Sequence, residues 1–130
     1  PNGNEAALVL KYSNELNFVA LELLFQELDA KSSKIIKSSH LTVRTFQLSL
    51  ELLMQNISVF PVSKYDMETL SLAQELTSDI DPKDVQYIAL TILLEGLFWS
   101  GDLKLQRGLR RKHFNHVITT LDLKQIIRGL

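Results

Sequence analysis

The chain reads as an α/β protein with parallel strands, and three observations predict it. Short strand-like segments, Ile57 to Phe60, Leu97 to Trp99 and His116 to Ile118, alternate with stretches of helical spacing rather than following one another as hairpins. The segment Val85 to Leu94 carries apolar residues around most of a helix's circumference, the pattern of a helix buried on several sides. Two acids, Asp84 and Asp102, fall at the start of that helix and just beyond a strand. In parallel α/β sheets these positions converge on the crevice where ligands bind, and two carboxylates there point to a divalent metal.

Composition sets the limits. A length of 130 residues suits one domain, residues 1–130, able to bury roughly two thirds of the surface of its unfolded chain. With 45% hydrophobic and 22% charged residues, the chain is not a disordered segment. Fourteen Lys and Arg against fifteen Asp and Glu leave a net charge of -1, so nucleic-acid binding must come from local clusters of basic residues. The absence of cysteine excludes disulfides, thiolate metal sites and a Cys nucleophile. It fits a reducing compartment, so a cytoplasmic location is expected. The longest apolar run, Ile88 to Leu94, is too short to cross a bilayer, and the start lacks a signal-peptide pattern; no membrane association is expected.

Along the chain, a Pro1-Asn2-Gly3 turn leads into a helix from about Asn4 to Lys11, followed by a short strand at Asn17 to Val19. From Leu21 one stripe of Leu21, Leu24, Phe25, Leu28 and Ile35 predicts a helix that fades into Lys37 to His40, with Glu27 at the stripe's edge. Val43, Phe46, Leu50, Leu53 and Met54 form a core-facing stripe on the next helix, while Leu41, Leu48 and Leu52 face the other way. That second face either packs inside the domain or makes a homodimer or partner surface. Ile57 to Phe60 is a strand stopped by Pro61, and Met67, Leu70, Ala73 and Leu76 mark another helix.

Asp81-Pro82 is a strong helix start, with an N-cap acid, proline at the first helical position and Asp84 in the first turn. Gly96 is expected to end this helix. The strand Leu97 to Trp99 then turns through Ser100-Gly101-Asp102 into a helix carrying Leu103, Leu105 and Leu109. His116 to Ile118 is the last strand, and a final helix follows Thr120. Four strands result, and the chain enters on a helix, as though a βαβ unit had lost its opening strand.

Local chemistry offers a structural explanation for each acid. Asp84 suits the positive end of a helix dipole, Asp102 can cap the helix it precedes, and Glu27 stands four residues before Lys31. Lys104, Arg107, Arg110, Arg111 and Lys112 make the densest basic segment, read either as a solvated helix end or as a phosphate-binding surface. His40, His113 and His116 lack convincing metal-ligand spacing, and Phe98 and Trp99 are expected in the core.

The sequence resembles the PIN-domain family, whose members include metal-dependent nucleases and the ribonuclease toxins of toxin-antitoxin pairs. The likeness is strongest from Asp81 to Leu123. It rests on an acid opening an apolar, alanine-containing helix (Asp84-Val85-Gln86-Tyr87-Ile88-Ala89), a strand ending in a serine, glycine, aspartate turn (Leu97-Phe98-Trp99-Ser100-Gly101-Asp102), a leucine-bearing helix from Lys104-Leu105, and a last strand, Val117-Ile118-Thr119-Thr120. Upstream, Phe18-Val19-Ala20 and Leu24-Phe25-Gln26-Glu27-Leu28 are similar to the family's second strand and the helix bearing its second acid.

The resemblance implies a three-layer α/β/α domain with a parallel sheet. It implies that Glu27, Asp84 and Asp102 hold Mg²⁺ or Mn²⁺, with Ser100 as a secondary polar contact, in an endoribonuclease that hydrolyses RNA. An antitoxin protein is the partner implied by a toxin role. The family's sheet order, 3-2-1-4-5, places its first strand and first acid ahead of the segment that aligns with Pro1-Asn2-Gly3. The central strand is therefore expected to be missing, through a truncated, clipped or misassigned start, or to come from another segment. The alternative function is a catalytically incomplete PIN-like module that binds nucleic acid or protein.

Overall fold

A computed structural model describes residues 3–40, 42–61 and 65–130, which gather into two compact units, residues 1–62 and 63–130. The class is α/β, mostly helical with short parallel strands. Among the described residues no helix is long and apolar enough to cross a membrane.

In the first unit, α1 (Gly3–Tyr12) precedes β1 (Val19–Leu21), then come α2 (Glu22–Ala30), α3 (Ser32–Ser39), α4 (Val43–Asn56) and β2 (Ser58–Phe60). The two strands run parallel, Val19 opposite Ser58 and Leu21 opposite Phe60. A parallel pair needs a crossover, which α2 to α4 supply. The expected helix from Leu21 to Ile35 is divided. Leu21 is a fully buried strand residue, and the helix breaks at Lys31 before Ser32 and Ser33, whose hydroxyls favour helix starts over helix interiors. Thr42 caps α4 by accepting from Thr45 N–H at 3.1 Å. On α4, Phe46, Leu50 and Leu53 are half-buried, but Val43 and Met54 are exposed, which corrects their assignment to the core stripe. Leu48 and Leu52 are exposed on the other face, while Leu41 lies outside the described residues.

In the second unit, Asp66 caps α5 (Met67–Thr77) by accepting from Thr69 N–H at 2.7 Å. A 3₁₀ turn, Pro82–Asp84, leads into α6 (Val85–Leu94), then β3 (Phe98–Trp99), α7 (Leu103–Arg111), β4 (Val117–Ile118) and α8 (Thr120–Arg128). Strands β3 and β4 are parallel, Phe98 opposite Val117 and Trp99 opposite Ile118. Ala73, Ile88, Ala89, Leu105, Leu109 and Val117 form the core, ringed by Leu70, Ile80, Val85, Phe98 and Phe114 among others. Leu105 and Leu109 are fully buried and contribute roughly 1.5–3 kcal/mol each by leaving water.

Helix α6 is buried at Ile88 to Thr91, but its last turn is open, with Leu93 and Leu94 exposed. It ends one residue before the expected Gly96, at Glu95, which takes a left-handed conformation (φ 53°), and Gly96 N–H closes the end on Thr91 O at 3.1 Å. Among the described residues the strands form two separate parallel pairs, β1 with β2 in the first unit and β3 with β4 in the second.

Candidate metal centre

Three carboxylates meet in the second unit. One oxygen from each of Asp81, Asp84 and Asp102 lies within 4.8 Å of the others, Asp81 and Asp84 half-buried and Asp102 exposed. Local backbone chemistry places each of them. Asp81 caps the 3₁₀ turn, its Oδ1 accepting from Lys83 N–H at 3.0 Å, while Pro82 takes the first position, where no N–H is required. Asp84 N–H returns to Asp81 O at 3.1 Å. The cap and the last residue of this short turn are thereby held close, and their carboxylates lie within reach of one another.

Asp102 comes from a different segment, the turn between β3 and α7. Strand pairing carries on past Trp99, with Ser100 N–H donating to Ile118 O at 2.9 Å. Ser100 Oγ then accepts from Asp102 N–H at 3.1 Å, and Asp102 Oδ1 caps α7 by accepting from Leu105 N–H at 3.0 Å. Asp102 thus sits just past the carboxyl end of β3, the position that faces the ligand crevice of a parallel sheet.

The donor set suits a hard cation. Mg²⁺ and Mn²⁺ prefer carboxylate oxygens, and each of the three side chains presents one within 4.8 Å of the others. Without a cation, three negative groups this close repel one another.

Of the acids expected from sequence, Asp84 and Asp102 come together. Glu27 is exposed on α2 in the first unit and is not one of the three. Asp81, read from sequence only as a helix cap, joins them. Its signal was its spacing of three from Asp84 across Pro82, which puts a cap acid and a first-turn acid at the same helix start.

On α7, Lys104, Arg107 and Arg111 are spaced to share one exposed face, and Arg110 stands near Asp122. Lys112 turns elsewhere. Its ammonium donates to Leu76 O at 2.9 Å and Glu75 O at 3.4 Å and pairs with the Asp79 carboxylate, so it caps the end of α5. That hydrogen bond holds the Asp79 carboxyl below its ordinary range. A cavity of about 220 Å³ lies here, lined by Asp79, Ile80, Lys104, Gly108, Arg111 and Lys112.

On α7, Gln106 is buried and donates to Val117 O at 3.1 Å and to Asp122 Oδ2 at 3.4 Å. Asp122 and Thr119 form a reciprocal capping box that starts α8. The Thr119 backbone N–H, followed by its hydroxyl and the Gln106 amide, lowers the pKa of Asp122.

Comparison with known proteins adds the family. The pattern of the PIN domain matches residues 2–122, nearly the whole chain and both units. No curated protein and no solved structure matches in the corresponding searches. An acidic group at the end of a parallel strand agrees with a nuclease family that generally uses divalent metals. The match over residues 2–122 establishes that the chain belongs to the PIN domain family.

Proposed function

We propose that this chain is a Mg²⁺- or Mn²⁺-dependent endoribonuclease that hydrolyses RNA phosphodiester bonds at Asp81, Asp84 and Asp102. The observation that carries this reading is the convergence of three carboxylate oxygens within 4.8 Å in a chain of this family. A bound divalent cation supplies a water made more acidic and a positive charge to offset that of the phosphate. The protein's part is to bind and orient. Backbone N–H groups hold one oxygen of Asp81 and one of Asp102, which positions the two side chains. Ser100 Oγ fixes the turn from which Asp102 projects. By the family pattern, Glu27 is a further acid of the set.

Lys104, Arg107, Arg110 and Arg111 attract the phosphate backbone, on the helix that begins at Asp102. Lys112 is assigned to phosphate less readily, since its ammonium already meets α5.

The test is cleavage of single-stranded RNA by the purified chain in Mn²⁺. Cleavage is expected to disappear in EDTA and to fall at least about 100-fold in Asp84→Asn and in Asp102→Asn. Full activity in both variants would rule out this site.

A further inference from the structure

The two halves of the aspartate cluster arrive on different segments, Asp81 and Asp84 on the turn after α5 and Asp102 at the start of α7. Their separation therefore depends on how that turn is held against α7. Two of the contacts that join this segment to α7 and its end lie outside the cluster, at Gly108 and at Lys112. The first is at Gly108, where an added Cβ would lie 2.5 Å from Ile80 Cδ1 and 2.9 Å from Ile80 Cγ1. Rotating the end of the Ile80 side chain moves Cδ1 but leaves Cγ1 in place, so a larger residue must either turn the β-branched Ile80 side chain about its Cα–Cβ bond, against its packing, or shift Ile80 itself. The second is Lys112, whose ammonium binds Leu76 O, Glu75 O and Asp79.

Between these contacts the turn is internally stiff. Ser78 N–H donates to Gln74 O at 2.9 Å, and Ile80 N–H and Asp81 N–H both donate to Thr77 O, at 3.0 and 2.9 Å. Ile80 is bonded directly to Asp81, and Asp81 O accepts from Asp84 N–H. A displacement of Ile80 is thus passed to both acids. Asp102 is fixed independently, by Leu105 N–H and Ser100.

We infer that Gly108 and Lys112 are positioning residues of the acidic cluster: by seating the Thr77 to Asp81 turn on α7 they set the distance of Asp81 and Asp84 from Asp102. The inference rests on the metal-binding reading above. Gly108 lies six residues into α7, about 9 Å from Asp102 along the helix axis. It governs the site without touching it, as outer residues that orient metal ligands do.

The experiment measures Mn²⁺ affinity by titration of the whole chain, together with backbone amide chemical shifts and the thermal midpoint. Gly108→Ala is expected to weaken Mn²⁺ binding about tenfold or more, with far-ultraviolet dichroism unchanged and the amide signals of Asp81 to Asp84 displaced. In an Ile80→Ala background the same change should cost less than about threefold, because the obstructing atoms are gone. Lys112→Met should act in the same direction as Gly108→Ala. If Gly108→Ala and Lys112→Met lower the thermal midpoint but leave Mn²⁺ affinity and those amide signals as in the wild type, the residues serve stability alone and the inference fails. If the wild-type chain binds no Mn²⁺, the metal reading fails, while the amide shifts and their recovery in the double variant still decide whether Gly108 positions the turn.

Discussion

The Asp102 carboxylate accepts from Leu105 N–H at 3.0 Å while one of its oxygens lies within 4.8 Å of Asp81 and Asp84, so a single side chain starts a helix and completes an acidic group. Substitution can separate these two roles. Asparagine caps a helix about as well as aspartate, whereas alanine costs about 0.5–2 kcal/mol. Asp102→Asn should therefore retain stability in urea titration and lose Mn²⁺ affinity. Asp102→Ala should lose both.

Gln106 is the polar link between α7, β4 and the cap of α8. Gln106→Leu fills similar space but leaves Val117 O without its side-chain donor, at a cost of about 1–3 kcal/mol. Chemical denaturation should show this loss, with the helix content unchanged before the transition.

Acid should destabilise the second unit through particular carboxylates. Asp122 is lowered first by the Thr119 backbone N–H, Asp66 first by the Thr69 backbone N–H, and Asp79 first by Lys112. A carboxyl lowered in the folded state binds its proton there later than in the unfolded state. Its contribution is thus present above the unfolded value of about 4 and is lost as pH falls through the lowered folded values. The thermal midpoint should fall as pH drops below about 4, and Asp122→Asn should flatten that fall.

Glu95 holds a left-handed conformation that costs an L-residue with a side chain roughly 1–2 kcal/mol. Glu95→Gly should raise stability by about 1 kcal/mol, partly offset by the entropy of glycine in the unfolded chain. The thermal midpoint measures the gain directly.

RNA affinity, if carried by the face of α7, should depend steeply on salt. Neutralising Arg107, Arg110 and Arg111 together should reduce the slope of log affinity against log salt by about 0.7 for each single-strand phosphate that these side chains neutralise. An unchanged slope would remove this helix from the RNA surface.

Much of the arrangement follows from local pattern. The apolar circumference of Val85 to Leu94, the capping signals at Asp81-Pro82 and Asp102, and the short runs at Phe98 and Val117 all act within a few residues, and each formed its element. The parallel pairing of β3 with β4 also follows, because a helix separates the strands. Periodicity was weaker at element ends. The break at Lys31 and the left-handed Glu95 involve single backbone angles that an apolar stripe does not encode.

Distances between residues remote in sequence are another matter. Asp81 and Asp84 have a spacing visible in the chain, but their approach to Asp102 depends on Ile80 settling against the bare backbone of Gly108 and on Lys112 reaching the carbonyls of α5. Residue types and spacing were enough to mark Asp84 and Asp102 and the helices they open, but Asp81 only as a cap. Bringing those acids together, and turning Lys112 from solvent to the end of α5, required packing between segments that the one-dimensional pattern does not contain.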